Sequence, residues 1–97
     1  MKEVEGFNAI IHSPVRLRLC SMLFDVESAT FSLLRGELEV AESVLSKNIS
    51  TLRDAGFVEV SKASLNSRTS TAVKLTKSGR IAYSAHVGAL RAISLGW

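Results

Sequence analysis

Six polar side chains crowd residues 43–51: Ser43, Ser46, Lys47, Asn48, Ser50 and Thr51. Their hydroxyls, carboxamide and ammonium can hydrogen-bond phosphate oxygens or base edges, and a lysine can reach guanine O6 or N7. A second polar set lies further on, with Lys62, Asn66, Arg68 and Lys74 in and beside a stretch rich in serine. Neither set resembles a catalytic apparatus. The chain has no phosphate loop, no dinucleotide fingerprint and no Ser/His/Asp or Cys/His constellation, and its nine acids are scattered. The expectation is a binding protein, not an enzyme, without a cofactor.

The first set must ride on a helix. Leu45, Ile49 and Leu52 recur at i, i+4 and i+7 and define a core face. At 100° per residue the opposite face holds Ser43, Lys47, Ser50 and Asp54, with Ser46 and Thr51 on its flanks. Asn48 falls nearer the core side. Serines and threonines also make ordinary solvated helix faces, so the pattern alone does not decide.

Charge adds a second argument. The 97 residues carry net +3, but residues 1–59 are net −3 and residues 60–97 are net +6 with no Asp or Glu. A one-signed third of a small domain points to a polyanionic partner, most often nucleic acid, although charge also serves solubility. Arg16 and Arg18 can support such a surface, although Arg16 could equally pair with Glu42 or Asp54.

The remaining sequence supplies the frame. Val4, Phe7, Ile10 and Ile11 suggest a first helix ending near His12, which would cap its end. Ser13-Pro14 reads as an N-cap and first helical position for a second, with Val15, Leu19 and Leu23 in register. Ala29-Thr30-Phe31 suffices for an edge-strand fragment. Ser32 would cap a short helix from Leu33 to about Glu39. A turn at Val40-Ala41 leads to the helix opened by Glu42-Ser43 and closed by Asp54-Ala55-Gly56. Strands are expected at Phe57–Val60 and Thr71–Leu75, with Ser61–Ser70 a polar, basic loop. Thr76 caps a last helix from Lys77 to about Leu95. The fold class is mainly α with a small β-hairpin, a winged helix-turn-helix forming one domain over residues 1–97.

The single Cys20 excludes an intramolecular disulfide and any multi-cysteine metal site, and suits a reducing cytoplasm. Its neighbours mark it as a small buried hydrophobe. No apolar run approaches the ~20 residues of a membrane span, and the first residues lack the pattern of a signal peptide.

Three stretches carry a family resemblance: His12-Ser13-Pro14-Val15-Arg16-Leu17-Arg18-Leu19, Leu45 through Val58, and Val73-Lys74-Leu75-Thr76-Lys77-Ser78-Gly79-Arg80. In this order they resemble the winged-helix regulators of the arsenical-repressor-like and multiple-antibiotic-resistance-regulator-like (ArsR/MarR) families, in particular a compact stand-alone subgroup. The resemblance implies a dimeric DNA-binding repressor or activator. The helix near 43–55 would read the major groove, and the wing near 61–74 would touch backbone or minor groove. It also allows an unknown small-molecule effector between dimer helices and reading head. Metal-sensing members carry paired cysteines or His/Asp clusters. This chain has neither, so no metal is expected. Many members have His at the position of Asn48.

The last helix is apolar on two faces, one with Ile81, Ala85, Gly88, Ala92 and Leu95, the other with Tyr83, Val87, Leu90, Ile93 and Trp97. Such a helix needs cover on both sides. A two-fold homodimer is therefore expected, built from residues 1–12 and 77–97 through Phe7, Ile10, Ile11, Tyr83, Val87, Leu90, Ile93 and Trp97, with His86 on the dimer side. The rival reading is a winged-helix protein-interaction or assembly module without specific DNA binding.

Overall fold

Ser13 and Pro14 start the first helix of the computed structural model for the reasons their residue types suggest. The Ser13 hydroxyl accepts the Arg16 N–H, and Pro14 sits at the first helical position, where its missing donor costs nothing. The structure describes residues 3–65 and 68–96, with all their side chains except those of residues 63, 65 and 68. Helix α1 (Pro14–Phe24) is followed by β1 (Ala29–Thr30), α2 (Phe31–Leu38), α3 (Glu42–Asp54), β2 (Val58–Leu65), β3 (Arg68–Leu75) and α4 (Lys77–Leu95). The three antiparallel strands lie in the order β1-β3-β2.

The expected helix ending near His12 does not form. Residues 3–13 run as turns. Gly6 takes a left-handed φ of +86°, and the Asn8 side chain accepts the N–H groups of Ile10 and Ile11. That local capping competes with a helical hydrogen-bond ladder. The apolar spacing is real but serves another purpose, since it drops Ile11 into the core at 0% exposure.

Two boundaries also move. Thr30, not Ser32, caps α2, because its extended backbone at the end of β1 lets its hydroxyl accept the Leu33 N–H. The hairpin is longer than expected. Most of Ser61–Ser70 is strand, with Lys62 opposite Thr71 and Ser64 opposite Thr69. Its polar residues mark a ladder that extends past the core. The Thr76 cap stands as expected. Its hydroxyl accepts the Gly79 N–H and donates to the Gly56 carbonyl, tying the end of α3 to the start of α4.

Leu19 and Leu23 of α1, Leu34 and Leu38 of α2, Leu45, Ile49 and Leu52 of α3, and Val58, Val73 and Leu75 of the hairpin form one core. Cys20 is wholly buried within it. Burial pushes its thiol up to about 11, so it stays protonated at neutral pH.

His86 is the largest departure on α4. It is 0% exposed and faces inward, not toward a dimer partner. The Asn8 N–H donates to its Nδ1 at 2.9 Å, so its own proton sits on Nε2 and points to His12 Nδ1, 3.2 Å away. The Phe7 ring meets it edge-on at 4.9 Å. His12 thus anchors residues 3–13 to α4 and caps no helix.

Burial first, and then the neighbouring His12, holds the His86 pKa below the ordinary 6.5. A base with a lowered folded pKa binds more protons when unfolded. Its contribution to stability is therefore complete above pH 6.5 and declines as pH falls from there toward the folded pKa. Urea midpoints between pH 7.5 and pH 5.5 will fall for the native chain. They will fall less for His86→Gln, which keeps an acceptor but cannot ionise. Identical pH slopes would refute the assignment.

Candidate nucleic-acid interface

A left-handed Glu39 (φ 52°, ψ 47°) turns the chain from α2 toward α3, and Val40-Ala41 completes the turn. The two helices form the helix-turn-helix pair. Leu45, Ile49 and Leu52 bury one side of α3, and this fixes which residues face out. Ser43, Ser46 and Lys47 are exposed on its first two turns, the part of a reading helix that usually meets base edges. Among the described residues their side chains make no hydrogen bond. Ala41 supplies no side-chain cap, so the first-turn N–H groups stay available to an incoming phosphate.

Two expected contact residues are engaged elsewhere. Asn48 Nδ2 donates to the Val44 carbonyl at 2.8 Å, and its Oδ1 accepts from Arg16 at 2.7 Å. Thr51 is half-buried, and its hydroxyl donates to the Lys47 carbonyl at 3.0 Å. Ser50 is half-buried beside the hairpin. Arg16 pairs with neither Glu42 nor Asp54. Its other contact is the Ile10 carbonyl.

Strand parity divides the basic residues of the wing. Lys62 shares a pleat face with Val60, Val73 and Thr71, which is the face turned toward α3. Lys74 lies one residue out of phase, on the opposite face. There its ammonium stands 3.5 Å from Glu59, its cross-strand neighbour. Among the described residues, exposed Lys62 is therefore a wing cation on the same side as α3. Asn66 and the Arg68 side chain lie outside the described residues.

Between α3 and the hairpin runs a shallow groove lined by Ser46, Ile49, Ser50, Arg53, Val60 and Thr71, with Phe31 and Glu42 also on its wall. Arg53 and Thr71 were not singled out from the sequence. Parity along the strand would have found Thr71, and Arg53 lies one turn beyond Ile49. Arg53 also approaches Asp54 at 3.7 Å, with both side chains largely in solvent, where such a pair holds weakly.

The positive C-terminal third is not one patch. Arg80 is spent on structure, donating to the Phe24 and Val26 carbonyls and lying over the Phe24 ring. Lys77 and Arg91 are exposed on α4. Among the described residues no three His, Cys, Asp or Glu side chains are grouped to hold a metal ion. Among the described residues no helix is long and apolar enough to cross a membrane.

The apolar surface of α4 also differs from expectation. Ile81, Ala85, Gly88, Ala92 and Leu95 form its exposed face, with Ile81 at 63% and Leu95 at 59%. Tyr83, Val87 and Leu90 are half-buried, and Tyr83 packs on Phe24. Ile11 belongs to the core and offers no surface. Phe7, Ile10 and Ile93 remain exposed. Trp97 lies outside the described residues.

A family described as a winged helix DNA-binding domain matches residues 15–94. An uncharacterized protein of Methanocaldococcus jannaschii is 30% identical over 78 residues, covering 80% of this chain and 85% of its own length. The solved structure of a transcriptional regulator homologue from Pyrococcus horikoshii OT3 superposes with a TM-score of 0.84. It has 28% identity, covering 90% of this chain and 86% of that one. HlyU from Vibrio cholerae N16961 superposes with a TM-score of 0.61 at 21% identity, covering 89% and 85%, a likeness of fold.

Proposed function

The chain belongs to the winged helix DNA-binding domain family, and from that membership we propose that it is a homodimeric, sequence-specific transcriptional regulator of the repressor type. It occupies duplex DNA at a promoter in the cytoplasm and excludes polymerase. Ser43, Ser46 and Lys47 read the major groove. Lys62 on the wing, with Arg68 beyond it, holds the backbone or minor groove. Phosphate contacts supply much of the affinity, so binding weakens as salt rises.

The observation that carries this reading is the exposed start of α3. Three polar side chains free of internal hydrogen bonds, among the described residues, stand there on a helix whose other face is locked in the core. The exposed apolar face of α4, together with Phe7, Ile10 and Ile93, supports self-association. A two-fold pairing would set two reading helices about 34 Å apart.

Selection from a random duplex library at roughly physiological salt tests the reading, with the bound fraction then followed as salt is raised. The expected result is a palindrome with half-sites about one helical turn apart. Absence of duplex binding would overturn it in favour of a protein-assembly module. Salt-sensitive binding without enrichment would overturn the sequence-specific part.

A further inference from the structure

Arg16 links two parts of the molecule that lie on either side of it. On one side is the N-terminal segment. Asn8 fixes it by accepting the Ile10 and Ile11 N–H groups and donating its own N–H to buried His86 of α4. The His12 N–H bonds the Asn8 carbonyl at 2.9 Å, and its ring meets His86. Gly6 lies so close to α4 that a Cβ there would stand 2.7 Å from the Ala85 carbonyl oxygen. These bonds, and Ile11 in the core, hold the Ile10 carbonyl in one place, where Arg16 Nε donates to it. On the other side is the reading helix. Arg16 Nη1 donates to Asn48 Oδ1 at 2.7 Å, and the Asn48 amide donates to the Val44 carbonyl on the preceding turn of α3.

Both partners of the guanidinium are neutral oxygens on fixed elements. Among the described residues no carboxylate lies within 4 Å of it, so charge pairing does not explain its placement. A planar fork with two engaged edges sets orientation in a way a lysine ammonium cannot. Asn48 sits directly after Lys47 and two residues after Ser46, so a tether on Asn48 adds to the buried Leu45, Ile49 and Leu52 in setting the rotation of the face that carries them.

We propose that Arg16 is a positioning residue for DNA recognition, transmitting the docked state of residues 6–12 on α4 to the reading helix through Asn48. This rests on the DNA-reading function proposed above. It assigns Asn48 a supporting role in place of base contact. It also joins the α4 side of the molecule to the base-reading face by a continuous run of hydrogen bonds.

Two measurements on the intact chain test it. The first needs no DNA. In an NMR spectrum of the native chain, Asn8→Ala will shift the Asn48 side-chain amide and the α3 amides. In an Arg16→Lys background the same substitution will leave them in place. The second uses the duplex selected above and a scrambled duplex. Arg16→Lys and Asn48→Ala will each lower affinity for the selected duplex about tenfold. Both will leave the scrambled duplex and the salt slope unchanged, and the double variant will lose no more than either single one. Asn48→Ala removes only a partly exposed side chain, so it guards against a folding defect in Arg16→Lys.

Absence of the long-range shift in the native chain overturns the proposal whatever the DNA result. Equal loss on both duplexes with a shallower salt slope also overturns it, making Arg16 a phosphate contact. A long-range shift in a chain that binds no duplex leaves the coupling standing and rejects the DNA-reading function.

Discussion

Lys47→Ala will lower affinity for the selected duplex about a hundredfold while thermal unfolding stays unchanged. Lys47 is exposed on the second turn of α3; among the described residues its side chain makes no hydrogen bond, while its backbone carbonyl accepts the Thr51 hydroxyl. Alanine keeps that carbonyl and favours the helix. What disappears is one contact per reading helix. A good base contact contributes about 1–3 kcal/mol, and the proposed two-fold complex loses it twice. At about 1.4 kcal/mol per factor of ten, a loss of about 1.4 kcal/mol at each reading helix, within the lower half of that range, gives the stated hundredfold. Fluorescence anisotropy on the selected and scrambled duplexes measures it. Equal affinity in variant and native chain would remove Lys47 from the interface. A shallower salt slope with unchanged preference would reassign it to phosphate.

Gly79→Ala will destabilise the domain by at least about 3 kcal/mol, at the upper end of overpacking costs. A Cβ at Gly79 would stand 2.1 Å from the Phe57 carbonyl oxygen and 2.9 Å from its carbon. The obstacle is backbone. That same oxygen accepts the Thr76 N–H at 3.0 Å, so it cannot retreat without breaking the start of α4 from the base of the hairpin. For a domain of this size the melting temperature should drop by roughly 12–24 °C, at about 4–8 °C per kcal/mol. Gly36→Ala provides the contrast. It lies within α2 with nothing within 4 Å of a Cβ, so alanine there should stabilise by about 0.5–1 kcal/mol. Circular dichroism melts of both variants check the pair. A mild effect at Gly79 would show that α4 does not approach Phe57 so closely.

These two glycines show where sequence reading stops. Both are single glycines inside helical stretches. Their opposite roles come from what crosses above them, a β-strand entrance in one case and open solvent in the other. His86 and Asn48 teach the same lesson. The partner of Asn8 lies 78 residues away and that of Arg16 lies 32 residues away, distances over which residue spacing carries no information. The burial along α4 is decided in the same way. Two apolar faces on α4 could be recognised from spacing. Which of them the domain uses itself depends on where α1 and the N-terminal segment dock.

What the sequence determined by itself was local. Ser13-Pro14 and Thr76 set helix starts because caps act within three or four residues. The Leu45, Ile49 and Leu52 spacing placed α3 and turned Ser43, Ser46 and Lys47 outward, since helical geometry converts spacing directly into a face. The hairpin and the long last helix were visible in the same way. Tertiary structure decided the rest. It made residues 3–13 a docked strap and extended the wing, placing Lys62 and Lys74 on opposite faces. It drew Arg16, Asn48 and His86 out of the surface and into a network. Those outcomes depend on which distant groups satisfy each buried donor and acceptor, and such pairings exist only once the chain has folded.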